Sequence, residues 1–282
     1  MGKTIAMLHP GEMGSGVAAR LVDAGHKVVW VSTGRSESTR ARAKAAGLIE
    51  ADSLAAALAQ AEIVFSVCPP HAVLDVAREV AALGFKGVYV DANAVSPKTV
   101  KAVGSIVSAA GASWVDGGIV GSPPGPDISS RLYLSGPGAA DIAALFAGTH
   151  LGTVVLDGPL GAASALKMCY AAWTKGSTAL FADIRSLAKA EGVEEALISE
   201  WKISKPSAVK DSEAVMKAAR KAWRWIAEME EIAASFEHQG LPGDFHHGAA
   251  EIYRRLAEFK DTKTAPDMDK ITALIGKGGK PA

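Results

Sequence analysis

The chain has 282 residues, which is long for a single hydrophobic core and suits two domains. Apolar residues make up 49% and charged residues 21%, a composition that excludes a disordered chain. The formal net charge is zero, so the chain lacks the general basic field of a nucleic-acid-binding protein.

Cysteine usage and hydropathy indicate the compartment. Cys68 and Cys169 each lie in an apolar run without a C-x-x-C spacing, which favours two reduced thiols over a disulfide or a metal site. The apolar run at the N-terminus is too short for the core of a signal peptide. No apolar stretch approaches the roughly 20 residues of a membrane span. We therefore expect a cytoplasmic protein with no membrane partner.

Residues 1–157 alternate short, apolar, β-rich runs with alanine-rich helical runs. This alternation predicts a mainly parallel sheet with helices on both faces. The predicted strands are 4–8, 27–31, 63–67, 88–91, 114–116, 132–135 and 152–156. The predicted helices are 15–24, 36–46, 53–59, 71–83 and 96–110.

Residues 158–282 lack the β-branched runs and carry Ala, Lys, Glu, Trp and Met at helical spacing. The predicted helices are 161–191, 194–203, 207–238 and 246–259, followed by a frayed tail. The sequence thus predicts an all-α domain over 158–282 that begins with a long helix joining it to the first domain.

A glycine loop follows the first predicted strand, in the segment HPGEMGSG. Gly11 and Gly14 occupy the second and third glycine positions of G-x-G-x-x-G, between a strand and a helix, with Glu12 and Met13 between them. Such a loop admits a pyrophosphate to the backbone at a helix N-terminus. We therefore predict a dinucleotide-binding Rossmann domain, in which His9 replaces the first glycine.

The segment after the second strand selects between the two nicotinamide dinucleotides. NAD sites usually place a carboxylate there, whereas residues 32–36 read STGRS. Arg35 offers a guanidinium to a 2′-phosphate, and three hydroxyl groups offer hydrogen bonds. The predicted cofactor is NADP(H), with NAD(H) as the alternative. The residues expected to hold its phosphate are Ser32, Thr33, Arg35 and Ser36.

Further candidates follow later strands, since ligands of open α/β sheets lie at the carboxyl ends of the strands. Cys68 and Pro69 follow one strand, and Asn93 follows the next, where it is a candidate to bind the nicotinamide ribose. Equally, Ser96 and Pro97 in the same segment suit the N-cap and first position of a helix, a purely structural role. A glycine-rich turn is expected after Asp116. It either admits substrate to the main chain or is a flexible loop, and its substrate candidates are Gly118, Ile119, Val120 and Ser122.

Lys167 lies among Ala, Leu and Met on the long helix. A buried lysine is unusual unless it is paired or functional, and burial lowers its pKa toward the range useful for proton transfer. Tyr170 and Thr174, three and seven residues later, share its helical face. The competing interpretation is a packed aliphatic stem whose amine reaches water.

These motifs resemble the beta-hydroxyacid dehydrogenase family. The marks are G-E-M-G, D-A-N-A-V-S-P, D-G-G-I-V-G-S and the G-x-x-G-x-x-x-x-x-K helix, over roughly residues 3–180. The resemblance implies an NAD(P)-dependent oxidoreductase whose catalytic lysine corresponds to Lys167, and a homodimer that uses the C-terminal helices. The segment from RKAWRWIAEMEE onward is similar to the helical domain of a bacterial subgroup.

Two departures leave the chemistry open. Family members commonly carry asparagines where this chain has Tyr170 and Ala171, and a D-x-P-V-S-G-G segment where it has D-G-G-I-V-G-S. The first hypothesis is an NADPH-dependent reductase or dehydrogenase of a small hydroxy- or oxo-acid, with Lys167 as general acid/base. The second is an imine reductase that uses Tyr170, because imine reductases are similar in fold and lack this lysine. The third is a non-catalytic NADP(H) sensor.

Overall fold

The computed structural model describes residues 2–125, 130–260 and 262–277. The chain divides into two compact units, Met1–Met168 and Cys169–Ala282. The sequence placed the boundary at 157/158, at the beginning of the long helix. The two compact units divide within that helix, after Met168, and the domain boundary at 157/158 stays a prediction.

The first unit is built on an eight-stranded sheet with the order β3-β2-β1-β4-β5-β6-β7-β8. All neighbours pair in parallel except β6 and β7, which are antiparallel. The strands are β1 Thr4–Leu8, β2 Lys27–Val31, β3 Ile49–Ala51, β4 Ile63–Ser66, β5 Val88–Asp91, β6 Ser113–Val120, β7 Ser130–Ser135 and β8 Leu151–Val155. The helices are α1 Glu12–Asp23, α2 Glu37–Ala45, α3 Leu54–Gln60, α4 Val73–Ala82, α5 Pro97–Ala109 and α6 Ala139–Ala144, with a 3₁₀ turn at Pro70–Ala72. The predicted Rossmann architecture is confirmed.

Both faces of the sheet are covered, because successive side chains of each strand point to opposite sides. In β1, Ile5 and Met7 pack into one apolar cluster, while Ala6 and Leu8 pack into the other. All four side chains are buried. A strand enclosed in this way reads as a continuous apolar run, which explains why the sequence located β1 correctly.

Strand β6 corrects one expectation. The sequence predicted that the strand ends at Asp116 and that a glycine-rich turn follows, but β6 continues through Gly117 and Gly118 to Val120. The glycines serve close packing: a Cβ on Gly117 would lie 3.1 Å from the Asp91 carbonyl oxygen. The candidate substrate residues 118–120 are therefore held in the sheet.

The second unit is helical, as predicted. It contains most of α7 Ala162–Ala190, and then α8 Glu194–Ser204, α9 Pro206–Ala219, α10 Ala222–His238, α11 Asp244–Leu256 and α12 Met268–Gly276, with a 3₁₀ turn at Ala257–Phe259. The predicted helix 207–238 is two helices, α9 and α10, which separate at Arg220 and Lys221. Part of the tail expected to fray is helix α12, because Ile271 and Ile275 are buried. Residues 278–282 of that tail lie outside the described residues.

Within the described ranges, no helix is long and apolar enough to cross a membrane. In the same ranges, no group of three or more His, Cys, Asp and Glu side chains is arranged to hold a metal ion.

Candidate active site

The turn between β1 and α1 has the geometry of a phosphate cradle. His9 takes a positive φ of 62°, the left-handed conformation, and its carbonyl oxygen accepts a hydrogen bond from the Gly11 amide at 2.7 Å. A Cβ on Gly14 would lie 2.8 Å from that carbonyl, so only glycine lets α1 start so close to the strand. Among the residues that the structure describes, no side chain caps α1 at Gly11, and a Cβ there would meet nothing nearer than 4.0 Å. The turn therefore fits a pyrophosphate.

His9 and Arg35 line a cavity beside this turn. Burial, and then the positive charge of Arg35, lower the pKa of the His9 imidazole to about 4, so the ring is neutral at pH 7. Its Nδ1 is buried with no hydrogen-bond partner among the described residues. The rest of the wall is mostly apolar and includes Leu8, Val31, Leu54 and Val76. The sequence identified His9 only as an exception to the glycine pattern.

The segment after β2 contains the predicted phosphate ligands, but Ser32 is engaged within the protein. Its hydroxyl donates to the Glu50 carboxylate and accepts from Arg40 Nη1 at 2.9 Å. The Ser36 hydroxyl caps α2 by accepting from the Thr39 amide at 3.3 Å. Thr33 and Arg35 are exposed. The sequence indicated no carboxylate at this place, yet β3 supplies Glu50.

Asn93 connects the ends of β4 and β5 through side-chain hydrogen bonds. Its Oδ1 accepts from the Cys68 amide at 2.6 Å, and its Nδ2 donates to the Ser66 hydroxyl at 3.1 Å. The amide group predicted to reach the ribose is thus used to join two strands. Cys68 is buried, which raises the pKa of its thiol to about 12, whereas Pro69 is exposed.

Lys167 meets the carboxyl-terminal part of β6. Its Nζ donates to the Ile119 carbonyl oxygen at 2.7 Å. Gly118 permits this approach, because a Cβ there would lie 2.7 Å from the Ala163 carbonyl oxygen and 3.1 Å from the Lys167 Cβ. Burial lowers the pKa of Lys167 from 10.5 to about 8. The amine can therefore hold or release a proton near neutral pH.

Asp116 positions the helix that carries this lysine. Its fully buried carboxylate accepts hydrogen bonds from the Ala163 amide at 2.9 Å, the Ser164 amide at 3.1 Å and the Ser164 hydroxyl at 2.6 Å. The Ser135 hydroxyl donates a fourth bond at 2.7 Å. A carboxylate at a helix N-terminus satisfies free amides and interacts favourably with the helix dipole. The sequence treated Asp116 only as the end of a strand.

The remaining predicted substrate residues differ in exposure. Ile119 and Val120 are buried in β6, whereas Ser122 is exposed and its carbonyl accepts from the Ser130 hydroxyl at 2.5 Å. Tyr170 and Thr174 continue the helix beyond Lys167. Tyr170 is 44% exposed, and its carbonyl accepts from the Thr174 hydroxyl at 3.2 Å.

Comparison with protein families gives two matches. Residues 4–140 match the NAD binding domain of 6-phosphogluconate dehydrogenase, and residues 188–256 match a domain of unknown function (DUF1932). The mitochondrial 3-hydroxyisobutyrate dehydrogenase of Drosophila melanogaster is 27% identical over 172 residues, which are 59% of this chain. The match spans 52% of that relative, about half its length.

Solved structures with the same fold include both dehydrogenases and reductases. A conserved protein of unknown function, described as similar to 3-hydroxyacid dehydrogenases, is 28% identical with a TM-score of 0.67 and 91% and 97% coverage of the two chains. The 3-hydroxyisobutyrate dehydrogenase of Mycobacterium tuberculosis, in complex with L-serine, is 20% identical with a TM-score of 0.71 and 98% and 99% coverage. The Aspergillus terreus reductive aminase, in complex with NADPH and ethyl levulinate, is 18% identical with a TM-score of 0.57 and 98% and 99% coverage. The last two similarities show the fold alone.

Proposed function

Because this chain belongs to the beta-hydroxyacid dehydrogenase family and carries its NAD-binding domain, we propose that it is an NADPH-dependent oxidoreductase acting on a small hydroxy- or oxo-acid. The observation that carries the proposal is Lys167, a partly buried amine that donates to the Ile119 carbonyl oxygen at the carboxyl-terminal part of β6 and has a pKa lowered to about 8. Ligands of open α/β sheets bind at the carboxyl ends of the strands.

The β1–α1 turn and the segment after β2 would hold the cofactor. The N-terminus of α1 and the open space at Gly11 suit the pyrophosphate, and Arg35 suits a 2′-phosphate. When bound, the nicotinamide supplies or accepts hydride. Arg35 makes no side-chain hydrogen bond or ion pair within the part of the chain that the structure describes, so its guanidinium is available to an anion.

Lys167 would supply the proton that hydride transfer requires. One hydrogen on Nζ is directed to the Ile119 carbonyl, which orients the amine and leaves its other hydrogens for a substrate oxygen. In the reductive direction, Nζ donates a proton to the carbonyl oxygen, which becomes a hydroxyl group. In the oxidative direction, neutral Nζ accepts the proton of the hydroxyl group. A pKa of about 8 lets the same group serve both directions.

Tyr170 favours a second candidate, reduction of an imine. Its side chain is 44% exposed and follows Lys167 by three residues on the same continuous helix. A phenol there offers a proton to a substrate nitrogen without the lysine. The non-catalytic sensor remains the third hypothesis, and it predicts cofactor binding without turnover.

One assay separates these functions. We would follow NADPH oxidation on a panel of small oxo-acids and cyclic imines with wild-type protein, Lys167→Met and Tyr170→Phe. The proposal expects oxo-acid turnover that falls about 10²- to 10⁴-fold in Lys167→Met, with an unchanged dissociation constant for NADPH. Full turnover by Lys167→Met would refute the role of the lysine. Imine turnover lost only in Tyr170→Phe would establish the second candidate.

We also propose a homodimer that uses the C-terminal helices. Along α7, Trp173, Leu180 and Leu187 follow one another at seven-residue intervals, and they are 75%, 44% and 64% exposed. Residues seven apart lie on one side of a helix, so these side chains form an apolar stripe. Large exposed apolar surfaces mark protein interaction sites, which supports association through this helix.

A further inference from the structure

A carboxylate from the third strand lies beside the proposed 2′-phosphate segment. Glu50 pairs with Trp30 across the β2–β3 ladder, and Ser32 follows the end of β2. The Ser32 hydroxyl donates its hydrogen to Glu50 Oε1. Arg40 Nη1 donates to the same hydroxyl at 2.9 Å and lies 4.0 Å from Glu50 Oε1. Glu50, Ser32 and Arg40 thus form one polar cluster.

This cluster removes Ser32 from the set of residues that the sequence offered to a phosphate, and it also engages the guanidinium of Arg40. Ser32 has a single hydroxyl hydrogen, and Glu50 accepts it. Arg40 is held against the β2 end, because its Nη2 donates to the Ser32 carbonyl at 3.0 Å and its Nε to the Arg35 carbonyl at 3.4 Å. Arg35 and Glu50 therefore act in opposite directions on a 2′-phosphate bound at this segment, because the guanidinium attracts it and the carboxylate repels it.

We propose that Glu50 is a specificity-determining residue that limits the preference for NADPH over NADH. The inference rests on the proposed function, since it concerns the same dinucleotide site. The Glu50 carboxylate repels a phosphate at this edge of the sheet and takes the Ser32 hydrogen that a phosphate oxygen would otherwise accept. NADH carries a 2′-hydroxyl instead, which has no charge to be repelled and can donate to a carboxylate.

The test is Glu50→Gln, which removes the charge and keeps an oxygen that accepts from Ser32. Dissociation constants for NADPH and NADH are measured by titrating the fluorescence of the reduced nicotinamide. The matched control is Glu62→Gln, which makes the same charge change next to the amino-terminal end of β4. The dinucleotide is proposed to bind at the carboxyl ends of the strands, on the other side of the sheet's strand ends from Glu62. We expect the affinity ratio of NADPH to NADH to rise about tenfold in Glu50→Gln, or ~1.4 kcal/mol, and to stay within about twofold in Glu62→Gln.

Glu50→Thr, which also removes the charge and places a β-branched residue in the strand, keeps the inference falsifiable if Glu50→Gln folds poorly, and it should raise the same affinity ratio. Arg35→Gln is expected to lower the same ratio by tenfold or more, and adding Glu50→Gln to it is expected to restore part of that loss. If Glu50→Gln leaves the affinity ratio of NADPH to NADH unchanged, or shifts it toward NADH, the inference is wrong. The proposed function is not affected by that result. If the wild-type protein binds neither dinucleotide, the proposed function and this inference both fail.

Discussion

Replacing Lys167 by methionine should stabilise the protein at pH 7. The decrease in pKa from 10.5 to about 8 means that burying the charged amine costs roughly 3 kcal/mol. Methionine keeps the apolar stem and removes the charge. It also loses the hydrogen bond to the Ile119 carbonyl, which offsets about 1–2 kcal/mol. We expect the free energy of unfolding to increase by about 1–2 kcal/mol.

This stabilisation should depend on pH with a definite sign. The folded-state pKa of Lys167 lies below the unfolded-state value, so between about pH 8 and 10.5 the folded protein releases the proton first. In that window, the contribution of Lys167 to wild-type stability rises with pH. Below pH 8, both states are charged and the full cost applies. The advantage of Lys167→Met should therefore shrink from pH 8 upward and be lost by about pH 10.5.

Urea unfolding of both proteins at pH 7 and at pH 10.5, followed by circular dichroism, measures this difference. Other groups titrate in the same range, but their contributions cancel between wild type and variant. Lys98→Met, at an exposed position in the first turn of α5, provides the control and should show no pH-dependent difference. A Lys167→Met advantage that is equal at both pH values, or a destabilised variant at pH 7, would refute the assigned pKa shift.

Three further changes test the site and the assembly. Asp116→Ala leaves buried donors of α7 and Ser135 unpaired and should lower the free energy of unfolding by about 4 kcal/mol in denaturant melts; a loss under 1 kcal/mol would contradict the capping role. Gly14→Ala puts a Cβ 2.8 Å from the His9 carbonyl. It should weaken NADPH binding at least tenfold by calorimetry, and unchanged affinity would argue against the cradle. Leu180→Glu should convert the proposed dimer to a monomer in light scattering, whereas a wild-type monomer would end the dimer proposal.

The sequence was sufficient for most of the sheet, because buried parallel strands are continuous apolar runs. It gave no signal for β3, a strand of three residues that includes the charged Glu50. A turn was also predicted at Gly117 and Gly118, which instead lie within β6. A glycine in a strand and a glycine in a turn look alike until the opposing backbone is known, and here that backbone is Asp91 and Ala163.

The candidate site was predictable where a single residue is chemically out of place. Lys167 stood out among apolar neighbours, and the Gly11 loop had a recognised spacing. The contacts of Asp116 and Glu50 were not predictable, since they join residues far apart in sequence. One signal for Asp116 was available, since a carboxylate in an apolar strand needs several donors, but the sequence did not indicate which part of the chain supplies them.

Lys167 and the first turn of its helix are held mainly by strand β6. Asp116 fixes the first turn of α7, and Ile119, three residues farther along β6, fixes the amine one turn later. All of these residues belong to the first compact unit. The proposed proton-transfer group is therefore positioned by contacts within the first unit alone.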